Sequence, residues 1–457
     1  MLRRMILICQ IILILFFLLT SFAQEKKKIY WPSEAIITTF DPLLEPKSIV
    51  VSLDGKRIAW ASCTLEGKWR VTVDNEKGAF YDNVGDVVFS PDSKRYAYAA
   101  RRGDKSFIVL DGREQKKYLL VGAPKFSSDS KYLVYVAAKS KANCMVVVGS
   151  REEKEYPYVG HISLSAGGKH VAYEAAENDK CFVVFDGQES KRYESVGSIV
   201  FSPDSKQLAY AAKINNKWFL VVNGKEHGEK YDSFAEKGIV FSPDSKRMAY
   251  VVGAKDKWYV VIDGERSNPY KGIKAGSPVF SPDGKSVAYG AELANGKQVV
   301  VVDNKESKEY DSVWHIVYSP DSKRMAVRVK RGEKWLALVD GEEGKGYDNI
   351  SIPVFSPNSR HLAYVAVEGD NRFMVVDGKE QGRYCGAVGN PVFSPDSNHL
   401  AYSVIQEGGG SFVVVDGVEQ AKYGAVWAIN FVSSDKLQWI AKKKDSLIIY
   451  LVTIDIK

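Results

Sequence analysis

The chain has 457 residues, 45% apolar and 26% charged, the balance of a globular protein with a sizeable core. Its formal charge of +7 comes from 63 basic and 56 acidic residues. The lysines recur beside glutamates in every repeat and form no stripe, which argues against a nucleic-acid binder.

The first 23 residues differ in kind from the rest. Arg3 and Arg4 precede an apolar run from Met5 to Leu19, and Ser21 and Ala23 supply small residues before the polar Gln24. This is the three-part layout of a secretory signal cleaved after Ala23. The rival is an uncleaved anchor, which the run disfavours by falling short of the roughly 20 residues that span a bilayer. Cleavage removes both arginines and no acid, lowering the charge by two, to +5. The expected location is periplasmic or secreted, with membrane contact only through this segment if it is retained. Residues 24–47 follow as an N-terminal segment that includes "KIYWPSEAIITTF".

From residue 48 to 457 the chain repeats itself. "FSPDSKRMAY" at 241–250 has relatives starting at Phe89, Phe201, Phe280 and Phe393. Alignment on the turn aspartate gives positions 54, 92, 129, 167, 204, 244, 283, 321, 358, 396 and 435, spaced 37 to 40 residues apart. Position 167 is glycine and 358 asparagine. Periods of this size mark a stacked or radial repeat architecture. We number the units 1 to 11 in this order.

Each unit has one internal grammar. In unit 5 a short strand, "SIVF", meets "SPDS", where Pro203 presets φ for a turn and Ser202 and Asp204 suit its flanks. A second strand, "QLAYAA", is followed by a polar loop and by "WFLVV", apolar on both faces as a strand between two sheets must be. Asn223-Gly224 then makes a tight hairpin turn, a place taken by Asp-Gly in most other units. A fourth strand rich in Lys and Glu leads to a tyrosine, and its charges protect an outer edge. Four antiparallel strands per unit, grading from apolar to charged, predict an all-β fold, a β-propeller of four-stranded blades. Ten units are complete. The eleventh lacks its hairpin turn and final tyrosine, and the N-terminal segment is available as its outer strand. One unusually large ring or two tandem rings fit the count, and the uniform spacing favours one.

The motif "VFSPDSKRxAY", followed by an apolar strand and Asp-Gly, resembles the WD40-like repeat of the TolB-type β-propellers over residues 48–441. That resemblance implies periplasmic protein–protein contact. The sialidase Asp-box, S-x-D-x-G-x-x-W, does not fit, because most copies carry Ser where it has Gly.

Cys63, Cys144, Cys181 and Cys385 show no metal-type spacing. Cys144 and Cys181 hold equivalent places in neighbouring units, beyond the roughly 7 Å Cα limit for a disulfide, and read as small apolar fillers. The chain holds no G-x-S-x-G elbow, no H-E-x-x-H and no P-loop, and leaves no residues for a separate hydrolase domain. The turn aspartates read as structural acceptors.

Function belongs where the repeats disagree. Three residues before the "FS" aromatic the column reads Asp86, Ala123, His161, Ser198, Gly238, Ser277, His315, Ile352, Asn390 and Ala428. One step earlier most units have Gly, but Trp314 and Trp427 intrude. The column is expected to rim one channel mouth as a ligand or partner surface, with Asp86, His161, His315, Asn390, Trp314 and Trp427 as its binding residues. His161 and His315 stand four units apart, so neither a metal nor a cofactor is expected. The resulting expectation is an exported, non-catalytic scaffold for an envelope or extracellular protein. The alternative is a carbohydrate-binding or carbohydrate-active propeller working from the same surface.

Overall fold

The computed structural model describes residues 32–39, 46–236, 238–446 and 448–456. The expected signal segment, residues 1–23, lies outside them.

Every unit folds as an antiparallel sheet, and in units 1 to 10 the strands follow chain order. In unit 5 these are Ser195–Phe201, Leu208–Ile214, Lys217–Val222 and Lys225–Tyr231. The second and third strands pair residue for residue, Ala209 with Val222 through Ile214 with Lys217. Asn215 and Asn216 close that hairpin at φ 50° and 59°, the left-handed conformation that a two-residue turn needs and asparagine tolerates. Units 9 and 10 merge into one nine-stranded sheet because Lys379–Val388 pairs with both.

The third strand has no wet face. In unit 2, Ser106 through Val109 of Lys105–Leu110 are all buried. Neighbouring sheets share a core at every step along the chain. Ala337 and Tyr347 of unit 8, for example, pack with Tyr364 and Phe373 of unit 9. Each fully buried side chain of this size contributes roughly 1.5–3 kcal/mol, so these interfaces dominate the stability. A last cluster joins Ile58 and Trp60 of unit 1 to Ile440 of unit 11.

Three recurring polar devices tie sheets to their neighbours. The first is the "SPDS" turn. Ser319 Oγ donates to Asp321 Oδ1 (2.7 Å), which also accepts the Lys323 N–H (3.1 Å). The Asp321 N–H then donates to Ser359 Oγ of unit 9 (2.9 Å). The same bond runs from Asp92 to Ser130, from Asp204 to Ser245 and from Asp283 to Ser322. The latching serines sit at φ 61° to 67°. Serine therefore stands where the Asp-box has glycine because its hydroxyl receives the preceding unit.

The second device is a clamp beside the Asp-Gly turn. Asp340 accepts the Met325 N–H (2.8 Å) and the Arg324 Nε–H (2.9 Å). Arg324 also reaches the Arg360 carbonyl of unit 9 (3.1 Å) and lies over Phe355, 5.3 Å from its centroid. The third device is the terminal tyrosine, buried in the interface. Tyr118, Tyr156, Tyr270, Tyr310 and Tyr347 donate to a glutamate on the outer strand of the following unit.

The N-terminal segment supplies the outer strand of the last sheet, as its sequence allows. Ser33–Thr39 pairs antiparallel with Ile448–Asp455. Its Glu34 accepts the Tyr423 hydroxyl (3.0 Å) and pairs with Lys443 (2.6 Å). Cys63, Cys144, Cys181 and Cys385 are free, and Cys144 and Cys181 pack, partly buried, against the apolar clusters of their units. Cys63 is partly buried too, and the exposed Cys385 departs from the filler reading.

Candidate functional site on the inner strands

First strands of neighbouring sheets approach one another, as Tyr158–Leu164 does with Ser195–Phe201 and Val240–Phe241 with Val279–Phe280. They form an inner edge, and the charged fourth strands lie outside. Strand order, inward first strands and shared cores between successive sheets decide the fold. The chain is a β-propeller.

No family model matches the chain, and no curated protein does. Among solved structures it is similar to a eukaryotic initiation factor, at 13% identity and TM-score 0.40, covering 72% of this chain and 96% of that one. The β-propeller domain of the Trilobed protease from Pyrococcus furiosus gives 14% identity and TM-score 0.30, over 59% of this chain and 96% of that one. TolB from Acinetobacter baumannii gives 17% and 0.27, over 57% and 79%.

The variable column lies midway along the inner strand, not at its start. In this propeller the position takes two forms. In units 4, 5, 8 and 11 the strand is continuous but bulged, with register breaks at Gly160/Ile162, Gly197/Val200, Trp314/Ile316 and Trp427/Asn430. His161, Ser198, His315 and Ala428 occupy the bulge at φ 30°, 50°, 48° and 49°. Left-handed backbone at a non-glycine residue costs free energy, and a bulge re-aims the side chain it carries. In units 2, 3, 6, 7, 9 and 10 the first strand breaks into two short pairs. Pro124, Pro278, Pro353 and Pro391 follow the column residue in units 3, 7, 9 and 10, and proline has no N–H to give the ladder.

Units 6 and 7 each hold two extra residues between tyrosine and the "FS" aromatic, 231 to 241 and 270 to 280 against 193 to 201 in unit 5. The additions form turns. The Gly238 N–H donates to the Ala235 carbonyl (3.0 Å), and Ser277 Oγ donates to the Lys274 carbonyl (2.9 Å). Register, unlike counting back from the aromatic, places Lys274 opposite Gly290, where Trp314 stands opposite Arg328.

These turns wall two adjoining cavities. One, of about 380 Å³, is lined by Lys274–Ser277, Trp314, His315, Ile316 and Ile352. The other, of about 530 Å³, shares Lys274–Ser277 and adds Glu236 and Trp258. Trp314 is 44% exposed and Ile352 45%. Trp314 Nε1 donates to Ser312 Oγ (2.8 Å), and Lys274 Nζ lies 5.6 Å from its ring centroid. The His315 ring stands 6.0 Å from the indole. Burial, with the nearby Arg328 charge adding to it, holds the His315 imidazole below its usual pKa.

Of the six expected site residues, only Trp314 and His315 line these cavities. Asp86 and Asn390 are exposed in units 2 and 10. Trp427 packs on the cluster that joins the first and last sheets, which accounts for its size. His161 stands in unit 4 near Glu174, its electrostatic neighbour, whose carboxyl is pushed up by burial. Of the other histidines, His170, His361 and His399 take the arginine's place in the Asp-Gly clamp, with Nδ1 2.6–2.7 Å from Asp186, Asp377 and Asp416.

The inner column of second-strand residues is apolar or small in most units, Ala99, Val136, Ala211, Val251 and Val365 among them. Two units break it with charge. Glu174 lies opposite Gly160 and Arg328 opposite Trp314. Each charge therefore sits beneath one of the two bulged histidines, with opposite sign. The sequence carries this signal as a single charge in an alanine or valine column.

Proposed function

We propose that the protein is an exported propeller of the TolB type, closed as one ring of eleven blades, and that it binds another macromolecule at the cell envelope without catalysing a reaction. The closing cluster of Ile58, Trp60 and Ile440 and the outer strand lent by residues 33–39 support one ring. The observation that carries the binding reading is the contrast between units. The latches, clamps and tyrosines repeat, whereas the inner wall of units 6 to 9 departs from them with two inserted turns, two cavities and an exposed indole. A surface of this kind, aromatic at its centre and polar around it, suits a macromolecular partner.

Affinity capture from envelope extracts with the wild-type chain and Trp314→Ala tests this. The reading expects a retained protein that Trp314→Ala loses, since the half-exposed indole is removed without opening a core. The exposed indole also favours a second reading, a glycan site on the same wall. No retained protein, together with glycan turnover lost in His161→Ala/His315→Ala, would replace the first reading with the second.

A further inference from the structure

Two cations on this wall are held by aromatic rings rather than by carboxylates. Arg328 stacks its guanidinium 4.0 Å over Trp335 and donates to Asn349 Oδ1 (2.7 Å), but no carboxylate pairs with it and its Nε is buried without a partner. Lys274 lies over Trp314, likewise without an acid. Lysines at the outer edge pair with acids of the next unit, as Lys308 does with Glu343 and Lys345 with Glu380. Burying a guanidinium without a counter-charge is costly, and burial lowers the Arg328 pKa. Apart from Glu174, the residues named at this register elsewhere are small or apolar, so the fold does not require an arginine here. Aromatic stacking holds both cations in place before any anion arrives, which is how an anion site is preorganised.

Resting on the binding reading above, we propose that the wall of units 7 to 9 receives a carboxylate from an acidic peptide segment of the partner, held by Lys274 and His315, with the Arg328 charge behind the lining attracting it and an apolar side chain beside it against Trp314 and Ile352. The cavity lining favours a peptide over a glycan. Its polar side chains are few, Lys274, Ser277 and His315, and its walls are Trp314, Ile316, Val317 and Ile352. A sugar's hydroxyls need several donors and acceptors, which an apolar wall withholds, whereas one carboxylate flanked by leucine-like groups fits it.

The test uses the full mature chain and fluorescein-labelled decapeptides of alternating Glu and Leu or alternating Gln and Leu, with a galacturonate oligomer as the glycan probe. The Glu peptide is expected to bind at least tenfold more tightly than the Gln peptide. Lys274→Gln and Arg328→Gln are each expected to cost it tenfold or more, with thermal melts reported alongside. Should Arg328→Gln unfold, the half-buried Lys274→Gln still decides. Equal binding of the two peptides, or unchanged affinity in folded Lys274→Gln, overturns the inference. If envelope capture retains a protein but neither peptide binds, this inference fails and the scaffold reading stands. If only the galacturonate oligomer binds, both fail.

Discussion

The hydroxyl of Tyr423 donates to Glu34 across 3.0 Å, although 389 residues separate them in the chain. Five other tyrosines make this bond to a glutamate in the outer strand of the following unit, so Glu34 fills a slot that the repeat defines and the eleventh unit lacks. Charge-assisted hydrogen bonds of this kind contribute more than neutral ones. Glu34→Gln and Tyr423→Phe should each destabilise the chain by about 1 kcal/mol, and the pair should cost less than the two separately. Urea denaturation of the four proteins in a double-mutant cycle measures it. Strict additivity would mean that residues 33–39 do not close the last sheet.

The serine latch yields a second expectation. Ser359 is buried, and its hydroxyl is the partner of the Asp321 N–H. Ser359→Ala leaves that donor unmet and should cost about 1 kcal/mol, read as a lower urea midpoint at unchanged slope. An exposed turn residue such as Lys323, replaced by Ala, should cost much less. Equal effects would remove the latch from the account.

Acid should loosen the ring through the same turns. Asp92, Asp204 and Asp321 are held below the usual carboxylate pKa, chiefly by the serine hydroxyl two residues before each. Their folded pKa lies under the unfolded value of about 3.9, so the stability they add is complete above that value. It is lost as pH falls through the depressed folded pKa. The urea midpoint should hold from pH 7 to 5 and fall below pH 4. Asn358 shows that asparagine keeps the turn, accepting the Ser356 hydroxyl at 2.8 Å. Asp321→Asn should therefore fold and flatten the acid limb slightly, and an unchanged limb would contradict the assignment.

Glu174 should behave in the opposite sense. It is 9% exposed, and burial pushes its carboxyl pKa up. A folded pKa above the unfolded one means that the ionised group costs stability at neutral pH and that the cost vanishes below the unfolded value of about 4.3. Glu174→Gln is expected to raise the melting temperature at pH 7 and leave it unchanged at pH 4. A lower melting temperature at pH 7 would show that the carboxylate has a stabilising partner.

What was legible in the sequence was local. Pro203, Asn223-Gly224 and the terminal tyrosines announce turns and strand ends within a few residues, so strand order and the all-β fold followed. The segment carrying Glu34 was recognisable as a spare strand because the last unit ends short. The latch was not legible, because Ser359 and Asp321 meet only when two sheets pack side by side. The inner wall misled for a related reason. Counting back from Phe280 aligned Ser277 with His315, but the extra residues turn back on Lys274, and hydrogen-bond register, not spacing, sets which residue faces its neighbour. Arg328 stayed hidden in a strand that reads as core.

The central claim is that the repeated residues build the ring and that binding belongs to the inner wall where the units diverge. Ile352 and Ala123 occupy the same place in units 9 and 3, and both are exposed. A photoactivatable benzoylphenylalanine placed at either position, followed by irradiation in envelope extract, compares them directly. The account predicts one discrete crosslinked protein from position 352, suppressed by Trp314→Ala, and none from position 123. Equal crosslinking at both positions, or a product from 352 indifferent to Trp314, would contradict it.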